Sequence, residues 1–131
     1  LASSAASDVY KRQGYKGVCH LLKSGCDATA FFCADDITAI GAMKAIKEHG
    51  LHIPEDVSVA SIDDIDTAQY LTPPLTTTHI PLDEMGQMAA KVLIDRIEGG
   101  HTKHLKILFP YDIIERKSTA ALRKIHDNPQ K

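Results

Sequence analysis

Two adjacent pairs of carboxylates, Asp35-Asp36 and Asp63-Asp64, each follow a short uncharged run of apolar and small residues. An ionised carboxylate only accepts hydrogen bonds and can take them from neighbouring hydroxyls of one ligand. That chemistry suits an uncharged polyol such as a sugar and suits a phosphate badly. Each pair also has a structural alternative. Asp35 or Asp36 can cap the helix that follows, and Asp64 can be a solvated turn residue. Asp63, nearest its strand tip, is the stronger ligand-binding candidate. Carboxylate pairs also serve glycoside hydrolysis, but these lie at cap and tip positions in a chain without tryptophan, so no aromatic platform is expected for a sugar ring. The sequence contains no G-x-G-x-x-G, no G-x-x-x-x-G-K-[ST] and no G-x-S-x-G, hence no glycine cradle for nucleotide phosphates and no nucleophile elbow. A phospho-accepting receiver domain would want a lysine ending a late strand, where Phe109-Pro110-Tyr111 stands. No enzymatic activity is expected.

Cys19, Cys26 and Cys33 are spaced by seven and form no C-x-x-C pair, which is the reading of reduced thiols rather than of a zinc site or disulfide. The histidines form no H-E-x-x-H, and His101 and His104 sit in a Gly-flanked polar stretch that reads as loop. No metal and no cofactor is implied.

The elements that must position the carboxylates follow from periodicity. Ala28 to Cys33 is an uncharged run suited to a buried parallel strand. Asp35-Asp36-Ile37-Thr38 opens a helix carrying Ile37, Ile40, Met43 and Ile46, stopped by Gly50 in a left-handed cap with Pro54 beyond. Val57 to Ile62 is a second strand ending at Asp63-Asp64, and Leu75 to Ile80 a third. Leu82, Met85, Ala89, Val92, Leu93 and Ile97 repeat at helical spacing, with Met85 expected in the core. Leu105 to Phe109 and Ile113-Ile114 are β-prone. Tyr15 to Lys23 reads as a short helix. Strands alternating with helices predict an α/β fold, a doubly wound parallel sheet in three layers, in which ligands bind beyond the carboxyl ends of the strands.

The 131 residues, 44% hydrophobic and 24% charged with a formal charge of −2, exclude a disordered tail and a basic nucleic-acid module. The basic residues Arg116, Lys117, Arg123 and Lys124 are too few for DNA binding by this chain. No apolar run approaches the ~20 residues of a membrane helix. Residues 1–13, LASSAASDVYKRQ, have no apolar signal-peptide region and are set apart as a truncated helix end or a scar. Residues 14–120 form the expected subdomain, and 121–131 a tail.

Five motifs in order, ADDITAIG (34–41), GLHIPEDVS (50–58), the Asp63-Asp64 tip, YLTPPLTT (70–77) and ERKS (115–118), make the stretch from Gly14 to Ala120 resemble the C-terminal half of the effector-binding core of the LacI/GalR family of bacterial transcriptional regulators. The resemblance implies a type I periplasmic-binding-protein-like C-terminal subdomain, one half of a clamp that closes over a small molecule, a carbohydrate. It implies a cytoplasmic homodimer that meets operator DNA through an N-terminal helix-turn-helix headpiece lying outside this sequence. Positions matching Asp35, usually Asn in the family, and Asp63 contact the effector, and the one matching Leu82 lines its pocket. Positions matching Ile40, Tyr70 and Leu71 lie in the dimer interface, although Ile40 and Tyr70 can also complete the subdomain's own core. His79 to Pro81 and Phe109 to Asp112 match the segments that cross between subdomains. Asp for Asn at Asp35 and Ser61 for a usual Gly are departures. The alternative reading is a sugar-binding receptor of a transport system, which shares the clamp but not the dimer surface.

Overall fold

The structure, a computed structural model, describes residues 2–122. Along the chain run α1 (Ala2–Lys23), β1 (Ala30–Phe32), α2 (Asp36–Glu48), β2 (Ser58–Asp63), a 3₁₀ turn (Asp66–Tyr70), β3 (Thr76–His79), α3 (Leu82–Ile97) and β4 (Asp112–Ile114). The strands form a single sheet in the order β1-β2-β3-β4. The first three are parallel, with Ala30 opposite Ser58 and Ala60 opposite Thr76.

β4 departs from the all-parallel expectation. It runs antiparallel to β3, pairing Thr77 with Ile114 and His79 with Asp112. The chain returns to the sheet at the carboxyl end of β3, and a parallel strand would first have to cross back to the opposite edge. The ERKS motif then stitches the sheet. The Ser118 hydroxyl donates to the Val59 carbonyl at 2.6 Å and accepts from the Thr76 amide at 2.7 Å, while the Val59 amide donates to the Ser118 carbonyl.

One face of the sheet carries the packed core, where Val18, Ala42, Met43, Ile46, Val59 and Leu75 are buried together. α2 ends as its sequence demands: Gly50 at φ 77° lets its own amide reach the Lys47 carbonyl and the Leu51 amide reach that of Ile46. α1 is longer than the helix expected at Tyr15 to Lys23, and from Ala2 runs unbroken through the described part of the segment set apart. Those residues hold a run without proline that is compatible with helix. Their backbone takes part in the packing, because a Cβ on Gly41 would run into the Lys11 carbonyl oxygen; just beyond them, one on Gly14 would run into that of Thr38.

The opposite face is loosely covered, so the third layer is thin. Ile62 and Thr78 share an apolar cavity of about 400 Å³ with Met85 and the segment Ile107 to Tyr111. Contrary to expectation Met85 is not core. It is 37% exposed, and no residue of α3 is buried. The stripe of α3 that periodicity assigns to a core is there, but nothing among the described residues closes over it. Leu105 to Phe109, expected as strand, has no regular structure for the same reason, since no neighbouring strand offers it a ladder. Among the described residues no helix is long and apolar enough to cross a membrane. Arg123, Lys124 and most of the expected tail lie outside the described residues.

Candidate functional site

The first carboxylate pair divides its labour. Asp35 is the N-cap of α2, its Oδ1 accepting from the Thr38 amide at 2.6 Å and its Oδ2 from the Thr38 hydroxyl at 3.1 Å. A cap of this kind contributes about 1 kcal/mol. Asp35 remains half-buried, so part of the carboxylate still meets solvent. Asp36 is fully buried. Its Oδ1 accepts from the Ser61 hydroxyl at 2.5 Å and the Thr77 hydroxyl at 2.6 Å, and its Oδ2 from the Ile65 amide at 2.8 Å. One side chain at the start of α2 thus ties together β2, β3 and the turn after β2. Ser61 supplies one of these bonds.

The second pair sits in the turn that Asp36 holds. Asp63 and Asp64 have φ of 118° and 57°, both in the left-handed region that side chains normally avoid. Asp63 is half-buried. Burial first, then the charges of Asp36 and Asp35, push its carboxyl above the ordinary 3.8. Asp64 is not a solvated turn residue. Its Oδ1 accepts from an Arg116 guanidinium nitrogen at 2.6 Å, and its Oδ2 lies 3.1 Å from the His79 Nδ1.

Between this turn and the start of α3 opens a cavity of about 480 Å³, lined by Asp63, Asp64 and Asp66 on one side, His79 below, and Leu82 and Glu84 among the residues opposite. The structure therefore brings Asp63 and Leu82 to one cavity. Asp35 does not line it, being occupied with its cap. The lining has acceptors and an apolar wall but neither lysine nor arginine, an arrangement that can take donated hydrogen bonds from hydroxyls and pack against an apolar ring face.

The dimer candidates lie elsewhere. Ile40 and Leu71 line a groove of about 240 Å³ along α2 with Met43, Lys44, Lys47 and Glu48. Tyr70 stands beside it with 78% of its surface exposed. Ile40 and Leu71 are half-buried; Leu71 packs against the core, and Tyr70's ring stays exposed.

Arg116 and His79 were not foreseen as site residues. Arg116 read only as one of a few basic residues, and His79 only as part of a crossing segment. A sequence offers no local sign of a bond spanning 52 residues, although Arg116 did lie in the ERKS motif.

Comparison with known proteins bears on the geometry directly. The sequence profile described as "Periplasmic binding protein-like domain" matches residues 2–119. The chain belongs to that family. Among its relatives this periplasmic binding protein-like domain is 39% identical over 113 residues to the HTH-type transcriptional repressor PurR of Proteus mirabilis (strain HI4320), covering 86% of the chain and 33% of the repressor. The chain spans about a third of the length of the curated relatives it matches. Among solved structures, the LacI family transcriptional regulator from Enterococcus faecium with bound ribose superposes with a TM-score of 0.75 at 38% identity, over 86% of this chain and 41% of that one. The lac repressor dimer bound to operator and the anti-inducer ONPF gives 0.76 at 34% identity, over 84% and 38%. The match from residue 2 takes in the helix segment that the sequence reading had set apart.

Proposed function

We propose that this domain is the effector-sensing and dimerising half of a LacI-type transcriptional regulator, and that its effector is an uncharged carbohydrate or similar polyol. The observation that carries the reading is the cavity at the β2 tip, where the half-buried carboxylate of Asp63 and the side chain of Leu82 face one space. Asp63 accepts from effector hydroxyls, and Leu82 packs against the ring. Asp35, whose two oxygens are engaged by Thr38, lies outside this cavity and acts on the site only through the helix that it caps. That relatives of this chain are repressors, and that one structure similar to it holds ribose, favours a regulator over a transport receptor.

In this reading α3 and the segment Leu105 to Phe109 belong to the second lobe of the clamp. Their exposed apolar side chains are the surface that lobe's remainder covers, and the chain reaches them through His79 to Pro81 and returns through Phe109 to Asp112. The effector fills the space between the lobes. Closing on it favours one arrangement of the two copies of a dimer joined across Ile40, Tyr70 and Leu71. That population shift changes the affinity of helix-turn-helix headpieces, outside these 131 residues, for operator DNA. The protein acts in the cytoplasm and catalyses no reaction.

The test is an operator-release assay on the protein carrying both lobes and a headpiece. Asp63→Ala is expected to raise the sugar concentration needed for release about 10–100-fold, while operator affinity without sugar stays unchanged. An unaltered dose response in Asp63→Ala would remove Asp63 from the site.

A further inference from the structure

We propose that Asp64 is a positioning residue that couples the cavity wall to the segment by which the chain leaves the sheet for α3 and to the end of the strand by which it returns. The inference rests on reading the cavity as the effector site, and adds to it how occupancy of that site is communicated.

The argument starts from the backbone. Asp63 and Asp64 both hold positive φ, a conformation that persists in residues with a Cβ only where the surroundings over-determine it. Part of that constraint is the Asp36 bond to the Ile65 amide and a weak bond of 3.3 Å from the Asp64 amide to the Thr77 hydroxyl. The rest is the Asp64 side chain, 17% exposed, whose two oxygens are shared between two partners.

One partner stands at the outgoing crossing, the other beyond the strand by which the chain returns. His79 ends β3, immediately before Ile80-Pro81 and the first residue of α3. In the ladder it lies between two acids, Asp63 of β2 and Asp112 of β4. Arg116 follows β4, the strand by which the chain comes back. It is fixed at the far end of β3, since its second guanidinium nitrogen donates to the Leu75 carbonyl at 2.8 Å and its amide to the Thr76 hydroxyl at 3.0 Å. A single carboxylate therefore links the outgoing segment, the residue that anchors the end of the returning strand and the residue next to Asp63. A tilt of α3 against the sheet turns about the outgoing segment and is transmitted to the Asp63 peptide through Asp64. Conversely, a ligand that fixes Asp63 fixes the outgoing crossing and the anchor of the returning strand. Charge-assisted bonds in a part-buried setting are stiff enough for this role.

The test is nuclear magnetic resonance on the 131-residue chain, reading two signals: the side-chain carboxyl carbon of Asp63, and hydrogen exchange of the Leu82 amide, which donates to the Ile80 carbonyl. Asp64→Ala and Arg116→Gln are each expected to move the Asp63 resonance and speed Leu82 exchange about tenfold or more, as loss of a charge-assisted bond implies. Exchange of the Val59 amide, bonded to Ser118 in the core, should stay at its parent value. Arg116→Lys, which restores the charge, should return both signals part of the way. Should Asp64→Ala fail to fold, Asp64→Asn keeps the volume, loses the charge and must produce both changes at smaller size. Parent values for either signal in a folded variant, or no recovery in Arg116→Lys, would overturn the proposal. Calorimetric sugar binding is scored separately on the protein with both lobes. Coupled signals without sugar binding would remove the functional reading alone, and sugar binding with uncoupled signals would remove this inference alone.

Discussion

Asp35 and Asp36 are neighbours of identical chemistry, and replacing each by alanine should have very different consequences. Asp36→Ala deletes the acceptor of the Ser61 hydroxyl, the Thr77 hydroxyl and the Ile65 amide, all beside a carboxylate with no exposed surface. A buried donor left without a partner costs ~1–3 kcal/mol. The two hydroxyls can rotate toward other acceptors and fall at the low end, whereas the amide cannot turn. With the lost favourable charge at the start of α2, ~0.3–1 kcal/mol, the whole change comes to about 4 kcal/mol. For a chain of this length 1 kcal/mol moves the midpoint by roughly 3–5 °C, so Asp36→Ala should melt ~12–20 °C below the parent. Asp35→Ala removes one cap, about 1 kcal/mol, and should melt only ~3–5 °C lower. Asp36→Asn keeps the shape but turns one acceptor into a donor, and should fall between them. Thermal unfolding followed by far-ultraviolet circular dichroism at fixed pH measures all three. Melting of Asp36→Ala within a few degrees of Asp35→Ala would refute the hub that the bonds describe.

Gly41→Ala should lose ~2–3 kcal/mol by urea denaturation, because the new methyl meets the Lys11 carbonyl and overpacking outweighs the ~1 kcal/mol of helix propensity gained. Gly17→Ala, on the open face of α1, should instead gain ~0.5–1 kcal/mol. The Asp63 carboxyl, raised in the fold above 3.8 by burial and then by Asp36 and Asp35, is held in the folded state at a cost whenever it is ionised. That cost is absent below about pH 4, grows as pH rises through the folded value, and is fully present at neutral pH. Asp63→Asn should therefore raise the melting temperature at pH 7 and leave it unchanged at pH 3, and a reversed pattern would contradict the assignment. Desolvation, then the charges of Asp35 and Asp36, push the buried Cys33 thiol up to about 11. A disulfide-exchange reagent at pH 8 should thus modify Cys19 and Cys26 in the native protein, and Cys33 only after unfolding.

The sequence made the local devices legible because each is written in consecutive residues. A carboxylate cap at one of the two acids, the Gly50 stop and the strand runs ending in acids needed nothing beyond their neighbours. What it hid depends on partners far along the chain. Asp36 is a hub because Ser61 and Thr77, 25 and 41 positions away, turn their hydroxyls toward it, and either acid of the pair could have been the cap. Asp64 read as a solvated turn because Arg116 cannot be seen from there. Met85 and Leu105 to Phe109 were misjudged for another reason: periodicity states which side of an element is apolar, but not what covers it. β4 reversed direction because its approach path, rather than its composition, decides how it pairs.

The central claim is that Asp63 grips the alcohol groups of an uncharged small molecule in the cavity it shares with Leu82. Isothermal titration of uncharged monosaccharides, D-ribose first, into the protein carrying both lobes tests it most directly, with Asp63→Ala titrated alongside. The account predicts saturable binding of at least one sugar and a loss of about 10–100-fold in the variant, the worth of a hydrogen bond to a charged group. Equal affinity in parent and variant, or binding of no uncharged sugar at all, would contradict it.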